Sequence, residues 1–386
     1  MTHRKPTLLI VSFSDIANDA RVKKQIDLFA ERFQVTTCGR GPAFRSDVEH
    51  IELLPSERRT TQIAQAILLR TKLWGAAFSL EGETRQARRQ LRGREFDVAI
   101  ANDTESVSVA GLAAGYAHTL ADLHEYWPGL HDQSPAWVRL RQPYYRWMIR
   151  KFVSRCGAAM TVSQTIADRY LREFGVRCSV VHNATPKHAL VPTPVAQPIR
   201  IVHSGGAQPN RRPEVMMRAV ARSSSDVCLD MYLTGQGTEY ARELVKLADE
   251  LGSRIRILPP KPYDELIAAL NSYDIGIHIL PPTNTNNTLA LPNKLFDYVQ
   301  ARLGLIVGPT PDMQLRVEEY ALGAVTTGFD EEAIVRVLDE LDPRLVTVWK
   351  ENASIAAEHL NSDYELPKLA RAIDALLPAE MNARDV

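Results

Sequence analysis

Residues Asn284–Asp312 read NTNNTLALPNKLFDYVQARLGLIVGPTPD, passing from a polar loop through an amphipathic helix into a short apolar strand. Pro292 suits a first helical turn, where unpaired backbone N–H groups and the positive end of the helix dipole face any anion lying above. Lys294 and Asp297 are three apart and share one helix face, while Leu295, Phe296 and Val299 point largely elsewhere. A cation for phosphate and a carboxylate for hydroxyls suit a nucleotide diphosphate. An ordinary amphipathic helix with a local ion pair satisfies the same spacing.

A helix feeding a buried strand is half of a parallel βα unit, and the pattern repeats in both directions. Apolar runs rich in β-branched residues lie at 7–13, 33–38, 96–101, 118–123, 158–162 and 178–182, with helical spacing between most of them. The rhythm stops at TPKHALVPTPVAQP, where Pro186, Pro192, Pro194 and Pro198 allow neither helix nor central strand. It resumes at 199–204, 227–233, 254–258, 274–280, 304–308 and 324–327. The spacing predicts an α/β protein of two doubly wound, Rossmann-like domains facing across a cleft: an N-terminal domain over 1–185, a Pro-rich linker over 186–198, and a C-terminal domain over 199–386 with a closing helix. A length of 386 residues accommodates two such domains. Ligands of open parallel sheets bind at the carboxyl ends of the strands, so the loops after the strands are where function is expected.

Lys plus Arg and Asp plus Glu each number 46, so the formal net charge is zero and no global field draws the protein to nucleic acid. Cys38, Cys156, Cys178 and Cys228 are scattered without CxxC or zinc-ligand spacing and read as reduced structural thiols of a cytoplasmic protein. The apolar run in MTHRKPTLLIVSFSD ends in polar residues with no small-residue cleavage site, and reads as a strand rather than a signal peptide. No stretch has the roughly 18 apolar residues of a membrane span.

After the strand at 199–204 comes SGGAQPNRRPEVMMRAV. Gly205 and Gly206 let backbone approach a ligand, and Arg211 or Arg212, just before a helix, can grip a phosphate; a solvated turn explains the same residues. Gly235 and Gly237 lack the third glycine and the acidic partner of a dinucleotide fingerprint. In DLHEYWP, His124 and Glu125 sit at the ligand end of a strand, where a histidine can bond a sugar or move a proton. In SFSDIANDARVKK, helix capping accounts for some of Asp15, Asn18 and Asp19. Residues 135–155 mix Trp137, Tyr144, Tyr145, Trp147 and Phe152 with arginines, suiting interior packing, an anionic membrane surface or nucleic acid bound by stacking. The P-loop, GxSxG, SxxK and HExxH patterns are absent.

Taken in order, NDARVKKQIDLFAERFQVT, FDVAIANDTES, ADLHEYWP, AAMTVSQTIAD, VVHNATP, IVHSGGAQPNRRPEVMMRAV, YLTGQGTEYARELVKLADELGSRIRILPP, YDELIAALNSYDIGIHIL and LPNKLFDYVQARLGLIV resemble glycosyltransferases of the GT-B fold, most closely the family 4 type of bacterial cell-surface glycan synthesis. The resemblance implies a nucleotide-diphosphate sugar bound by the second domain and a glycan or lipid-linked acceptor held by the first. It makes Arg211 and Lys294 the cations for the diphosphate, Asp297 the ribose contact, His124 the neighbour of the transferred sugar, and Gly205 and Gly206 donor-binding backbone. Pro259, Pro260 and Lys261 look like the base-contacting loop. The family commonly carries a second acid eight residues before Asp297; here that place is Leu289.

The resemblance further implies a retaining transfer, for which Arg211 and Lys294 supply the positive charge without a metal or other cofactor; the basic aromatic stretch adds the expectation that the cytoplasmic protein makes peripheral contact at the inner face of a membrane. A non-catalytic nucleotide- or glycan-binding protein of the same fold and a sugar-nucleotide epimerase are the alternatives.

Overall fold

The computed structural model describes residues 4–55 and 59–378. In them the chain forms two parallel sheets and divides into two compact units, one up to His182, the other opening at Asn183.

The first sheet consists of β1 (Thr7–Asp15), β2 (Gln34–Arg40), β3 (Glu49–Glu52), β4 (Val98–Asn102), β5 (Thr119–Leu123), β6 (Ala158–Thr161) and β7 (Ser179–Val180), in the order β3-β2-β1-β4-β5-β6-β7. The second consists of β8 (Ile199–Gly206), β9 (Val227–Thr234), β10 (Ile255–Leu258), β11 (Ile275–His278), β12 (Gly304–Val307) and β13 (Gly323–Val325), in the order β10-β9-β8-β11-β12-β13. Every pairing is parallel. Strands covered on both faces must be apolar throughout, which is why β4, β5, β11 and β12 are buried at every residue and were legible as apolar runs. In each sheet the strand order reverses beside the first strand, opening a crevice at the carboxyl ends of β1 and β4 in one unit and of β8 and β11 in the other.

The twelve strands expected from sequence are present. β3 is an addition, because at the sheet edge its EHIE needs only Ile51 inside, and one apolar residue makes no readable run. Two boundaries differ from the sequence reading. The Pro-rich stretch is no free linker: Leu190 and Val195 pack on the core of the second unit, and Asn271 Nδ2 donates to Val191 O at 3.0 Å. The C-terminal stretch from Leu366 belongs to the first unit, not the second, because Leu369, Ile373 and Leu376 fill the core that holds Leu8, Ile10 and Leu120. Burying those three side chains is worth more than helical continuity, which fixes no destination.

The basic aromatic stretch packs inward. Tyr144, Tyr145 and Phe152 are buried; Trp137 stacks on Tyr145 at 5.3 Å and Trp147 on Tyr144 at 5.9 Å. The guanidinium groups of Arg146 and Arg150 lie over Phe174, so the apolar stems are used in packing while the charges reach the surface.

Below β11 a buried ion pair pins the second sheet. Lys350 Nζ donates to Asp274 Oδ1 at 3.0 Å, to Tyr273 O at 2.8 Å and to Thr193 Oγ1 at 3.0 Å, while Asp274 Oδ2 accepts the Arg200 backbone N–H at 2.9 Å. Every ammonium proton has a partner, the condition under which a buried charge is tolerated.

Candidate functional site

In the second unit the reading centres on the crevice between β8 and β11. The helix Asn293–Gln300 starts at Pro292, whose extended backbone sets the first turn, and buries Leu295, Phe296, Tyr298 and Val299. That burial leaves Lys294 on the side facing Gly205 at the end of β8. A Cβ on Gly205 would stand 2.9 Å from Lys294 Cε and 3.1 Å from His203 Nε2. Gly206 has ordinary room for a Cβ, so packing does not require glycine there. Gly276 is glycine because a side chain would meet the ring of Tyr298, whose hydroxyl accepts the Ser204 N–H at 3.2 Å and ties the helix to the crevice.

Arg211 ends a 3₁₀ turn at Pro209–Arg211, its Nε donating to Gln208 at 3.1 Å. Arg212 has φ +49°, which swings its side chain outward beside Glu214 at 3.6 Å. The structure thus separates two arginines that the sequence left equivalent: the field of Arg211 acts on Lys294, and Arg212 stands apart from it. Burial, then Arg211, pulls the Lys294 pKa down to about 8, with Asp297 opposing. Asp297 is buried, and its Oδ1 accepts from the Thr185 hydroxyl at 2.5 Å and the Tyr263 hydroxyl at 3.0 Å. Pro259, Pro260 and Lys261 follow β10 and are exposed.

Two histidines join this group. His203 Nδ1 donates to Ile277 O at 2.9 Å, and its ring stacks on His278 with centroids 5.7 Å apart. Burial, with Lys294 adding to it, depresses both; His203 falls to about 3. Near neutrality the crevice holds two neutral imidazoles beside two cations, a setting that welcomes an anion.

In the first unit His124 follows β5. Its Nε2 lies 3.1 Å from Asn102 Oδ1 and 3.6 Å from Asp122 Oδ2, its Nδ1 lies 3.6 Å from Asp103 Oδ2, and its backbone N–H bonds Asp103 Oδ1 at 3.0 Å. Burial works against a charged ring, but Asp103 and Asp122 outweigh it and raise the His124 pKa. Asp103 itself sits at φ +64° and also accepts the Trp127 indole N–H at 2.9 Å. Asp122 is clamped by Arg21 through Nε at 2.7 Å and Nη2 at 2.6 Å. Burial disfavours its charge, yet Arg21 and His124 hold it well below the usual carboxylate range. Of the capping candidates Asp15, Asn18 and Asp19, it is Asp19 that caps the helix, accepting the Arg21 and Val22 N–H groups.

The expected site residues therefore fall into two groups: Lys294, Arg211 and Gly205 converge in the second unit with Asp297 one helical turn away, and His124 belongs to the first. Sequence reasoning missed His203, His278, Asp103 and Asp122. The available signal was a polar residue interrupting an apolar run at the carboxyl end of a strand. Among the described residues no group of three or more His, Cys, Asp and Glu is placed to hold a metal ion, and no helix is long and apolar enough to cross a membrane.

Residues 28–186 match the family model described as Glycosyltransferase Family 4. No curated protein matches the chain in sequence. Among solved structures, HepE of Anabaena in complex with UDP superposes with a TM-score of 0.68 at 15% identity, covering 96% of this chain and 100% of that one. The UDP-glucose complex of HepE gives 0.66 at 15% identity, with the same coverage. The sucrose-phosphate synthase of Thermosynechococcus elongatus gives 0.69 at 12% identity, covering 96% and 99%. At these identities the superpositions establish a shared fold, that of the GT-B glycosyltransferases.

Proposed function

We propose that this chain, a GT-B glycosyltransferase whose residues 28–186 match the Family 4 model, moves a hexose-type residue from a nucleotide-diphosphate donor held by its second unit to a glycan or lipid-linked acceptor held by its first. The observation that carries the reading is the convergence of Lys294, Arg211 and Gly205 at the β8/β11 crevice. Breaking the sugar–phosphate bond leaves negative charge on the diphosphate. Fixed cations and the N–H groups opening the helix Asn293–Gln300 bind that charge more strongly as it develops, which lowers the barrier. Lys294 and Arg211 take this role without a metal. Gly205 admits the donor backbone-close, and Asp297 is the carboxylate that contacts the ribose. His124 stands by the transferred sugar, and the acceptor attacks on the face the nucleotide leaves, so configuration is retained. The HepE complexes with UDP and UDP-glucose make a uridine nucleotide the first donor class to test.

The test is calorimetric titration of the full chain with UDP, GDP, ADP and dTDP, in buffer and with EDTA. Selective binding that survives EDTA and is lost in Lys294→Ala supports the donor site. Absence of binding by all four removes it.

Membrane contact is reassigned within the first unit. With the aromatic rings packed inward, the exposed apolar side chains in and near the stretch include Val138, Ile63 and Ile67, the last two one turn apart on the helix Arg59–Arg70, and Leu73, next to exposed Arg70 and Lys72. An apolar stripe bordered by cations suits the surface of an anionic membrane, where a lipid-linked acceptor resides. Sedimentation with phosphatidylglycerol vesicles but not phosphatidylcholine vesicles, lost in the double variant Ile63→Glu, Ile67→Glu, is the expected result; equal binding to both vesicle types refutes it.

A further inference from the structure

The first unit contains two cavities that meet. One, of about 460 Å³, is lined among others by Glu81, Glu83 and Arg141; the other, of about 210 Å³, reaches Asn102, Asp103 and Trp127; both include Phe13, Arg40 and Glu105. The smaller cavity therefore ends on Asn102 and Asp103, the residues that hold His124. The larger is of a size that encloses a small ligand.

Its polar groups are built rather than incidental. Glu105 lies in NDTES at the start of the helix Asp103–Ala113, and Glu81 precedes the helix Gly82–Gln90. Behind them stand two buried tyrosines: the Tyr144 hydroxyl donates to Glu81 Oε1 at 2.5 Å, and the Tyr145 hydroxyl to Glu105 Oε1 at 2.7 Å. Each tyrosine fixes one oxygen of its carboxyl group, and no described residue hydrogen-bonds Glu105 Oε2. Four carboxyl groups (Glu81, Glu83, Glu105, Asp103) line the joined space against two guanidinium groups (Arg40, Arg141), and Arg40 is already 3.5 Å from Glu83. Burial and Glu81 raise the Glu105 pKa to about 7, so above that pH the carboxylates outnumber the guanidinium groups and a ligand carrying phosphate or carboxylate meets net repulsion. Sugar hydroxyls would instead donate to carboxylate oxygens, with Phe13 and Trp127 supplying apolar faces for the ring.

We propose that these joined cavities bind the uncharged, hydroxyl-rich end of a saccharide, with Glu105 gripping it through hydroxyl hydrogen bonds and directing it toward His124. The inference rests on the transferase reading for its role, since it makes this saccharide the acceptor. It restricts the acceptor end to neutral sugars and excludes sugar phosphates and uronic acids.

Saturation-transfer NMR on the full-length protein tests it, using octyl β-glucoside and octyl N-acetylglucosaminide against glucose 6-phosphate and glucuronate, with UDP calorimetry run in parallel. At pH 8, where Glu105 is ionised, neutral glycosides should bind and the two anions should not. Glu105→Gln should weaken the glycosides about fivefold to tenfold and admit the anions. Gln65→Trp, which fills the larger cavity from the helix Arg59–Arg70 and leaves all four carboxyl groups in the chain, should abolish glycoside binding with an unchanged melting temperature. Stronger binding of either anion, failure of both glycosides to bind while UDP binds, or glycoside binding untouched by Gln65→Trp would each overturn the proposal. Glycoside binding that responds to both variants while no nucleotide binds would uphold the site and remove the transferase reading.

Discussion

The side chain of Lys294 lies so close to Gly205 that a methyl group there would stand 2.9 Å from Cε and 3.3 Å from Nζ. Gly205→Ala should thus move the ammonium group rather than the backbone, because the atom displaced is the end of a flexible side chain. The expected result is a loss of UDP affinity of about tenfold to a hundredfold, or about 1.4–2.7 kcal/mol, with thermal stability nearly unchanged. Gly206→Ala, with room for its methyl, should leave binding within about twofold. Calorimetry and thermal melting on the two variants distinguish these results.

Arg211 and Arg212 differ by one backbone conformation. Arg211→Ala should weaken UDP binding at least tenfold, since a fixed guanidinium beside Lys294 is lost. Arg212→Gly should leave binding unchanged and preserve or raise stability, because glycine accepts φ +49° without strain. Equal loss in both variants would contradict the placement of Arg211.

The Lys294 pKa of about 8 sets a pH dependence whose sign is fixed. A diphosphate prefers the protonated amine, so below about pH 7 binding needs no proton uptake at Lys294 and affinity from this group is flat. Above pH 8 the free protein has lost the proton and must regain it on binding, so affinity should fall by up to tenfold per pH unit. Titrations at pH 9 in buffers of different ionisation enthalpy should reveal proton uptake that Lys294→Arg removes.

Glu105 gives a dependence of stability on pH. Burial, reinforced by Glu81, raises its pKa to about 7 against the Tyr145 hydrogen bond. Between roughly pH 4.5 and 7 the folded protein therefore holds a proton that the unfolded chain releases, so stability falls as pH rises through this window. The full cost is on the order of 3 kcal/mol. Glu105→Gln, which cannot ionise, should be more stable than the parent by about 1–3 kcal/mol at pH 8 and nearly equal to it at pH 4.5. Urea unfolding at the two pH values measures the difference.

Much of this was legible in the sequence because parallel strands covered on both faces must be apolar along their length. That requirement exposed β1, β4, β8 and β12 as runs, and their alternation with amphipathic helices made two doubly wound sheets the expected result. The pairing of Lys294 with Asp297 on one helix face was also readable, since helical spacing is local. β3 was not, because an edge strand with one buried residue carries no periodic signal.

Tertiary structure decided everything that depends on which strands become neighbours. β8 and β11 are adjacent although the strands begin at Ile199 and Ile275, and only that adjacency stacks His203 on His278 and brings the crevice to Lys294. The φ of Arg212, the return of Leu369 and Ile373 to the first core, and the tyrosines behind Glu81 and Glu105 are likewise products of packing. Periodicity fixes which face of an element is buried, because that depends on residues a few places apart. What the face is buried against is settled by the free energy of the whole fold, and with it the charges and cavities from which chemistry is made.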